Sequence, residues 1–539
     1  MRKKSDWSAT TLLFNTPILM GDNTIPGLKI PKELQDVIPV IFRAADEFGL
    51  DYYETIIEYM AYDGISEIAA YDGFPQRYPH WRFGMSYEEL SKGYEFGMHR
   101  IFEMVINNRP CVMYLLNSNT YTDNVTVIGH ALGHNDFFKN NTFYARTNTK
   151  MMNEFGNNRI RILQIMSRWG EETVEAFIDD CLAIENLIDP ASAWKKTEYS
   201  DPLLYDEREY QFPRRLKVPE GHDYMEDWIN PREWIDEEWK RIKKEEKKRD
   251  LGIIEMYDKD IVKFLLENAP LKPWEQQVLG IIYDEALYFA PQGMTQVANE
   301  GWASFVDFNL MARVGMPNCS IWAYADHKAR VLGGKWSENP YKLGLELFFD
   351  IEERWNKGRF GREYEKCEDN QRKENWDLQL GLGHQKVFEV RERYNDVTMI
   401  AEFFTEDFCR KHDFYNWERR VSGEPGVEAE YKLVDRDWKK TRNMLIQRRL
   451  NRGLPEIRLV DPNGKGKNIL VVQHTWDGRT MHPKYTREAL RSLARIWRNP
   501  VALLTKNEEE EDSIYYCSPD LNIVKELKRN EWLQKWSQL

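Results

Sequence analysis

The chain has 539 residues, 42% of them hydrophobic and 13% aromatic, with 19 tryptophans; it has ample side chain for a packed core, which excludes a disordered scaffold. A formal net charge of −13 disfavours a general nucleic-acid or anionic-membrane binder. The six cysteines (111, 181, 319, 367, 409 and 517) lack CxxC spacing and read as reduced thiols, not a disulfide frame or zinc ribbon.

Residues 1–30 read as an N-terminal extension. Its start, Met1-Arg-Lys-Lys, is basic, but Leu12-Leu13-Phe14 and Pro17-Ile-Leu-Met20 are too short and broken for a signal peptide. No run approaches the ~20 apolar residues that span a bilayer, so the expected location is the cytoplasm. Residues 31–62 carry apolar positions at helical spacing, with Pro31 near a helix start. An aromatic loop, Arg77-Tyr-Pro-His-Trp-Arg-Phe-Gly84, leads to a helix expected near Ser86, with Glu89 completing a capping box. His80 in that loop is a candidate ligand or substrate contact, set against the plainer reading of a hydrogen-bonded loop histidine. Val112–Leu116 is a strand or a buried turn.

The next stretch, Thr126-Val-Ile-Gly-His-Ala-Leu-Gly-His134, is the one around which the chain is organised. Between Asp123 and Asp136 the only ionisable side chains are His130 and His134. On a helix their imidazoles share one face and reach a single metal ion, the geometry of the H-E-x-x-H zinc helices. Ala131 stands where those enzymes carry their catalytic Glu, so the pair is HxxxH. Two buried histidines at this spacing are also often plain hydrogen-bonded core residues.

Residues 150–189 read as two helices broken at Trp169-Gly170, and residues 193–250 as a charged arm or insertion. A helix from Asp260 to Asn268 and another from Pro273 to about Phe289 follow; the second sets Glu285 within an apolar stripe. Thr295 starts a helix carrying Asn299-Glu-Gly-Trp-Ala303, a segment that resembles the one supplying the third zinc ligand in gluzincin aminopeptidases. Glu300 is thus the candidate third ligand, although it lies 166 residues after His134 (300 − 134). Asp307 falls on nearly the same helix face, and an inward acidic face opposite two histidines suits a metal. Asn299 and Trp302 are candidate substrate contacts. Tyr341–Trp355 is an amphipathic scaffold helix, and a boundary is expected near residue 375. The remainder, 376–539, reads as a small α/β appendage: a hairpin from Glu456 to His474, a helix from Thr486 to Trp497 and a strand at Pro500–Leu504. No Walker A, G-x-G-x-x-G or G-x-S-x-G motif occurs.

The expected fold is therefore mainly α: a large helical domain, 31–375, holding the zincin-like HxxxH and Asn-Glu-Gly-Trp-Ala helices, plus a small C-terminal α/β domain. Arg77-Tyr-Pro-His-Trp, His130-Ala-Leu-Gly-His-Asn-Asp-Phe-Phe-Lys-Asn-Asn141, Glu185-Asn-Leu-Ile-Asp-Pro190 and Asp284-Glu-Ala-Leu-Tyr-Phe-Ala-Pro-Gln292 resemble the SpoVR (stage V sporulation protein R) family. So do Asn299-Glu-Gly-Trp-Ala303, Asn339-Pro-Tyr-Lys-Leu-Gly344, Val390-Arg-Glu-Arg-Tyr-Asn-Asp-Val397 and Trp497-Arg-Asn-Pro-Val501. The resemblance implies a cytoplasmic protein linked to spore cortex or cell-envelope formation, with serine-kinase-like and von Willebrand-A-like proteins as partners. Two positions depart from the family pattern: Asp307 and Ala191 stand where members usually or often carry His.

Two functions follow as expectations. The first is a metal-dependent hydrolase of an amide, in a peptide or peptidoglycan precursor. His130, His134 and Glu300 would hold a divalent ion, zinc before iron or manganese, with Glu285 or Asp307 as general base or fourth ligand. The second is a non-catalytic regulator or scaffold of envelope assembly or stress response with a structural metal. A dinuclear oxidase-type centre ranks last, because it needs Glu-x-x-His pairs on two helices.

Overall fold

A computed structural model describes residues 28–95, 103–192, 257–315, 318–333, 339–420, 430–464, 468–518 and 523–528. In chain order its elements begin α1 (Lys32–Phe48), β1 (Thr55–Met60), α2 (Tyr62–Ala70), α3 (Trp81–Glu95), β2 (Glu103–Ile106), β3 (Cys111–Leu116) and α4 (Tyr121–Asn140). They continue with α5 (Met151–Trp169), α6 (Glu171–Ile184), α7 (Ile261–Asn268), α8 (Pro273–Met294), α9 (Gln296–Val314), α10 (Asn318–Leu332) and α11 (Pro340–Lys357). Then come α12 (Gly383–Arg393), α13 (Asp396–Phe403), α14 (Glu406–His412), β4 (Asn416–Arg420), β5 (Glu430–Asp435) and α15 (Trp438–Gln447). The last are β6 (Ile457–Asp461), β7 (Leu470–His474), α16 (Pro483–Trp497), β8 (Val501–Lys506), β9 (Asp512–Ser518) and β10 (Ile523–Lys528). The mainly helical class is borne out. No described helix is long and apolar enough to cross a membrane. The expected extension at 1–30 falls almost wholly, and the charged arm at 193–250 wholly, outside the described residues.

The chain divides into two compact units, one of residues 1–163 with 291–453 and the other of 164–290 with 454–539. This differs from the boundary expected near 375. Residues 383–414 turn inward: Val387, Phe403, Phe404 and Phe408 join the same buried cluster as Ile128, Leu132 and Trp302. Residues 164–290 group with the C-terminal α/β part instead.

In the first unit α4 is the centre. It is buried from Thr122 to Phe138 and packs against α1, α9, α10, α12 and the sheet strands β2 and β3. That sheet has the order β1-β3-β2, with β1 parallel to β3 from Thr55↔Cys111 to Met60↔Leu116. Here the structure corrects the sequence reading of 31–62. The helix stops at Phe48, where Gly49 takes a left-handed φ of +99°, and Thr55–Met60 is a strand. Thr55, Ile56 and Ile57 are β-branched, and pairing with the wholly buried β3 outweighs an apolar spacing that fits a helix. α3 likewise begins at Trp81, earlier than Ser86, while Trp169-Gly170 breaks the chain as expected, with Gly170 at φ +93°.

The second unit holds a five-stranded sheet of order β10-β9-β8-β7-β6. β7 and β8 are parallel and joined through α16, which packs on β8, β9 and α6. The expected hairpin (β6, β7) is present, antiparallel. Arg495 of α16 grips Asp180 of α6 through Nε at 2.8 and 3.0 Å.

Candidate metal centre

The histidine helix starts at a true capping box. Thr120 Oγ1 accepts from the Asp123 N–H at 3.1 Å and Asp123 Oδ2 accepts from the Thr120 N–H at 3.2 Å. Asp123 Oδ1 also pairs with His327 Nδ1 of α10 at 2.9 Å, so the same residue that caps α4 fastens it to a neighbour.

Two and three turns further on, α4 runs antiparallel to α9. Asp136 Oδ2 accepts from Trp302 Nε1 at 2.9 Å, while six residues earlier His130 Nδ1 meets Asp307 Oδ2, also at 2.9 Å. The close approach depends on Gly133: a Cβ there would lie 2.7 Å from Ala303 Cα. A glycine inside a helix costs stability; here it lets two backbones come close enough for short polar side chains to meet.

His130 and His134 lie one turn apart, ring centroids 4.7 Å from each other at 76°. Glu300 closes the group: its Oε2 stands 3.3 Å from His134 Nε2 and 3.6 Å from His130 Nε2. Metal–ligand bonds of ~2.0–2.1 Å put two donors on one tetrahedral ion roughly 3.3 Å apart. The two separations to Glu300 are close to that distance, and all three ligand atoms lie within 4.8 Å of one another, so His130, His134 and Glu300 could hold a metal ion.

The other ring nitrogens face acceptors. His134 Nδ1 meets Asn299 Oδ1 at 2.9 Å, as His130 Nδ1 meets the Asp307 carboxylate. An acceptor at Nδ1 favours a ring proton on that nitrogen, and Nε2 of both rings is turned to Glu300 Oε2. Tyr341 stacks on His130 at 6.0 Å and Phe138 on His134 at 6.1 Å. Side-chain exposure is 6% for His130, 8% for His134 and 20% for Glu300, and both the Glu300 Oε2 and the His130 Nε2 it faces are buried.

Burial works against the charge of Glu300, but the charge of His134 and hydrogen bonds with His130 and His134 outweigh it and hold the carboxyl well below its ordinary range. For Asp307, burial is again opposed, here by the Lys328 charge and by His130, and its carboxyl is also held low.

The remaining candidates lie elsewhere. Asp307 is fully buried and turned to the far nitrogen of His130, where Tyr324 O–H (3.0 Å) and Lys328 Nζ also donate to it. It is therefore neither a fourth ligand nor an available base. Trp302 is fully buried, its indole spent on Asp136, and Asn299 backs His134, so neither is placed as a substrate contact. His80 Nδ1 accepts from the Arg82 N–H at 3.3 Å at the start of α3, which is the plainer of its two readings. Glu285 is buried on α8 in the second unit. Tyr324, His327, Lys328 and Tyr341 were missed. The i, i+3, i+4 set of polar residues on α10 was the available signal.

The SpoVR like protein family model matches residues 29–454. The chain belongs to the SpoVR family. Within this family it is similar to the uncharacterized protein YcgB of Escherichia coli (strain K12), 24% identical over 512 residues that cover 88% of this chain and 92% of that protein. No solved structure matches, so the local likeness of the two SpoVR-family helices to zincins gains no support from a shared fold.

Proposed function

We propose that His130, His134 and Glu300 bind one divalent ion, zinc before iron or manganese, and that the protein is a metal-dependent hydrolase of an amide. The observation that carries this is the pair of separations, 3.3 and 3.6 Å, between one carboxylate oxygen and two Nε2 atoms. Two neutral imidazoles and one carboxylate give a site of charge −1, complementary to a divalent ion and of the donor class used by zinc hydrolases. When bound, such an ion supplies Lewis acidity and lowers the pKa of a coordinated water to about 7. The chain contributes two imidazoles each held through Nδ1 and aromatic walls at Tyr341 and Phe138. A peptide or peptidoglycan-precursor amide as substrate, a cytoplasmic location and kinase-like and von Willebrand-A-like partners rest on the family's association with the cortex and envelope.

A second reading has its own observation. Ala131 occupies the usual base position and Asp307 is engaged by three donors, which favours a structural ion in a regulator or scaffold. Metal-stripped and zinc-reloaded protein, assayed on peptide and muropeptide amides, separates the two. Cleavage restored by zinc and lost in Glu300→Ala supports the hydrolase. Stoichiometric zinc with no cleavage of any amide supports the structural role.

A further inference from the structure

The two histidines are backed unequally. Behind His134 stands a neutral carboxamide, Asn299, at 2.9 Å. Behind His130 stands a carboxylate, Asp307, with no exposed surface. A buried carboxylate is costly unless its charge and lone pairs are satisfied, and α10 does this: Tyr324 donates to Oδ1 at 3.0 Å, and Lys328 donates to Oδ2, the oxygen that also faces His130. Lys328 is itself buried, so a carboxylate and an ammonium meet out of water, with His130 Nδ1 as the third member. Three residues after Tyr324, on the same helix, His327 grips Asp123. α10 thus holds both the start of α4 and the carboxylate behind its first histidine.

We propose that Asp307, held by Tyr324 and Lys328, is a positioning residue that anchors His130 through its Nδ1–H and so aims Nε2 at the ion position beside Glu300, and that α10 thereby sets how tightly the centre holds its ion. The inference rests on the metal reading for its consequence, but the bond between His130 Nδ1 and Asp307 is a property of the apoprotein. A charge-assisted hydrogen bond is about twice as strong as a neutral one, so His130 is the better-anchored ligand of the two. The role differs from that of a base or a ligand, because Asp307 touches neither the ion's position nor a substrate.

The test uses the full chain with 15N-labelled histidine. In the parent, His130 Nδ1 is expected to report a bound proton in a strong hydrogen bond. Asp307→Leu removes the acceptor; it is expected to lose that signal, lower Co²⁺ and Zn²⁺ affinity by about 10–100-fold and shift the visible Co²⁺ bands. Asp307→Asn restores an acceptor and is expected to recover most of the affinity. Tyr324→Phe, which keeps every charge, serves if Asp307→Leu does not fold, with an expected loss of about 2–5-fold by the same logic. As a control for a merely structural effect, Asp396→Asn alters a buried carboxylate that accepts from the Ala298 N–H at the start of α9 (2.9 Å); it is expected to lower the melting temperature without moving the His130 signals. Unchanged His130 signals in a folded Asp307→Leu or Tyr324→Phe variant would overturn the proposal. A parent that binds no ion while His130 keeps its Nδ1–H bond would defeat the metal reading and keep the positioning.

Discussion

The first unit and the second both bury histidine, and they do so differently. In the second unit His474 sits in β7, where its Nδ1 lies 3.0 Å from Thr505 Oγ1 of β8 and its ring meets Trp476 edge-on. Burial lowers its pKa. In the first unit α4 buries Thr122, Asp123, Asn124, Thr126, His130, His134, Asn135 and Asp136 on a single helix. Asn135 alone exchanges hydrogen bonds with Tyr53 N–H and C=O and with Thr55 Oγ1, all at 2.9 Å. One satisfied histidine is a packing detail. Eight buried polar side chains on one helix, each costly if left alone, mark a place where the fold has been built around polar chemistry.

The contrast can be broken most strongly at Trp302. Trp302→Ala deletes a fully buried ring and the donor to Asp136, and is expected to cost about 3–5 kcal/mol and to weaken metal binding along with stability. A core truncation in the second unit, Ile514→Ala, is expected to cost about 2–5 kcal/mol with metal affinity unchanged. Chemical denaturation and metal titration of both variants check the pair. Next in size is Gly133→Ala, whose new Cβ has Ala303 Cα at 2.7 Å. Separating α4 from α9 is expected to cost about 1–3 kcal/mol and to loosen the centre, whereas Gly280→Ala, with its nearest neighbour at 3.8 Å, is expected to leave the metal alone.

Asn299→Leu is expected to weaken the ion by about 10-fold with little change in melting temperature, less than Asp307→Leu because it removes a neutral acceptor. The smallest effect lies in acid. Burial raises Asp123, but hydrogen bonds from His327 and Thr120 outweigh it and hold the carboxyl at about 2, below its ordinary 3.8. A depressed folded pKa contributes stability that is present above 3.8 and lost as pH falls through about 2. Asp123→Asn is therefore expected to flatten the stability curve between those values, read by urea midpoints across the acid range.

How much of this the sequence carried differs by residue. His130 and His134 could be read because i, i+4 spacing is a local property of a helix, and Glu300 because its segment has a known local form; that they meet across 166 residues of chain is tertiary. Asp307 could be placed on the right helix face, but spacing says nothing about which nitrogen of a ring it will meet. Tyr324 and Lys328 share a helix face with His327 by spacing, but the buried group that face meets is known only after packing. Thr55–Met60 was misread because its apolar spacing suits two structures, and only β3, 56 residues later at Cys111 (111 − 55), chooses between them.

Elemental analysis of the purified protein beside His134→Ala and Glu300→Ala variants tests the central claim most directly. About one equivalent of zinc, iron or manganese in the parent, lost from both variants while each remains folded, is the predicted result. A folded parent that carries no ion and takes up none on titration would contradict it.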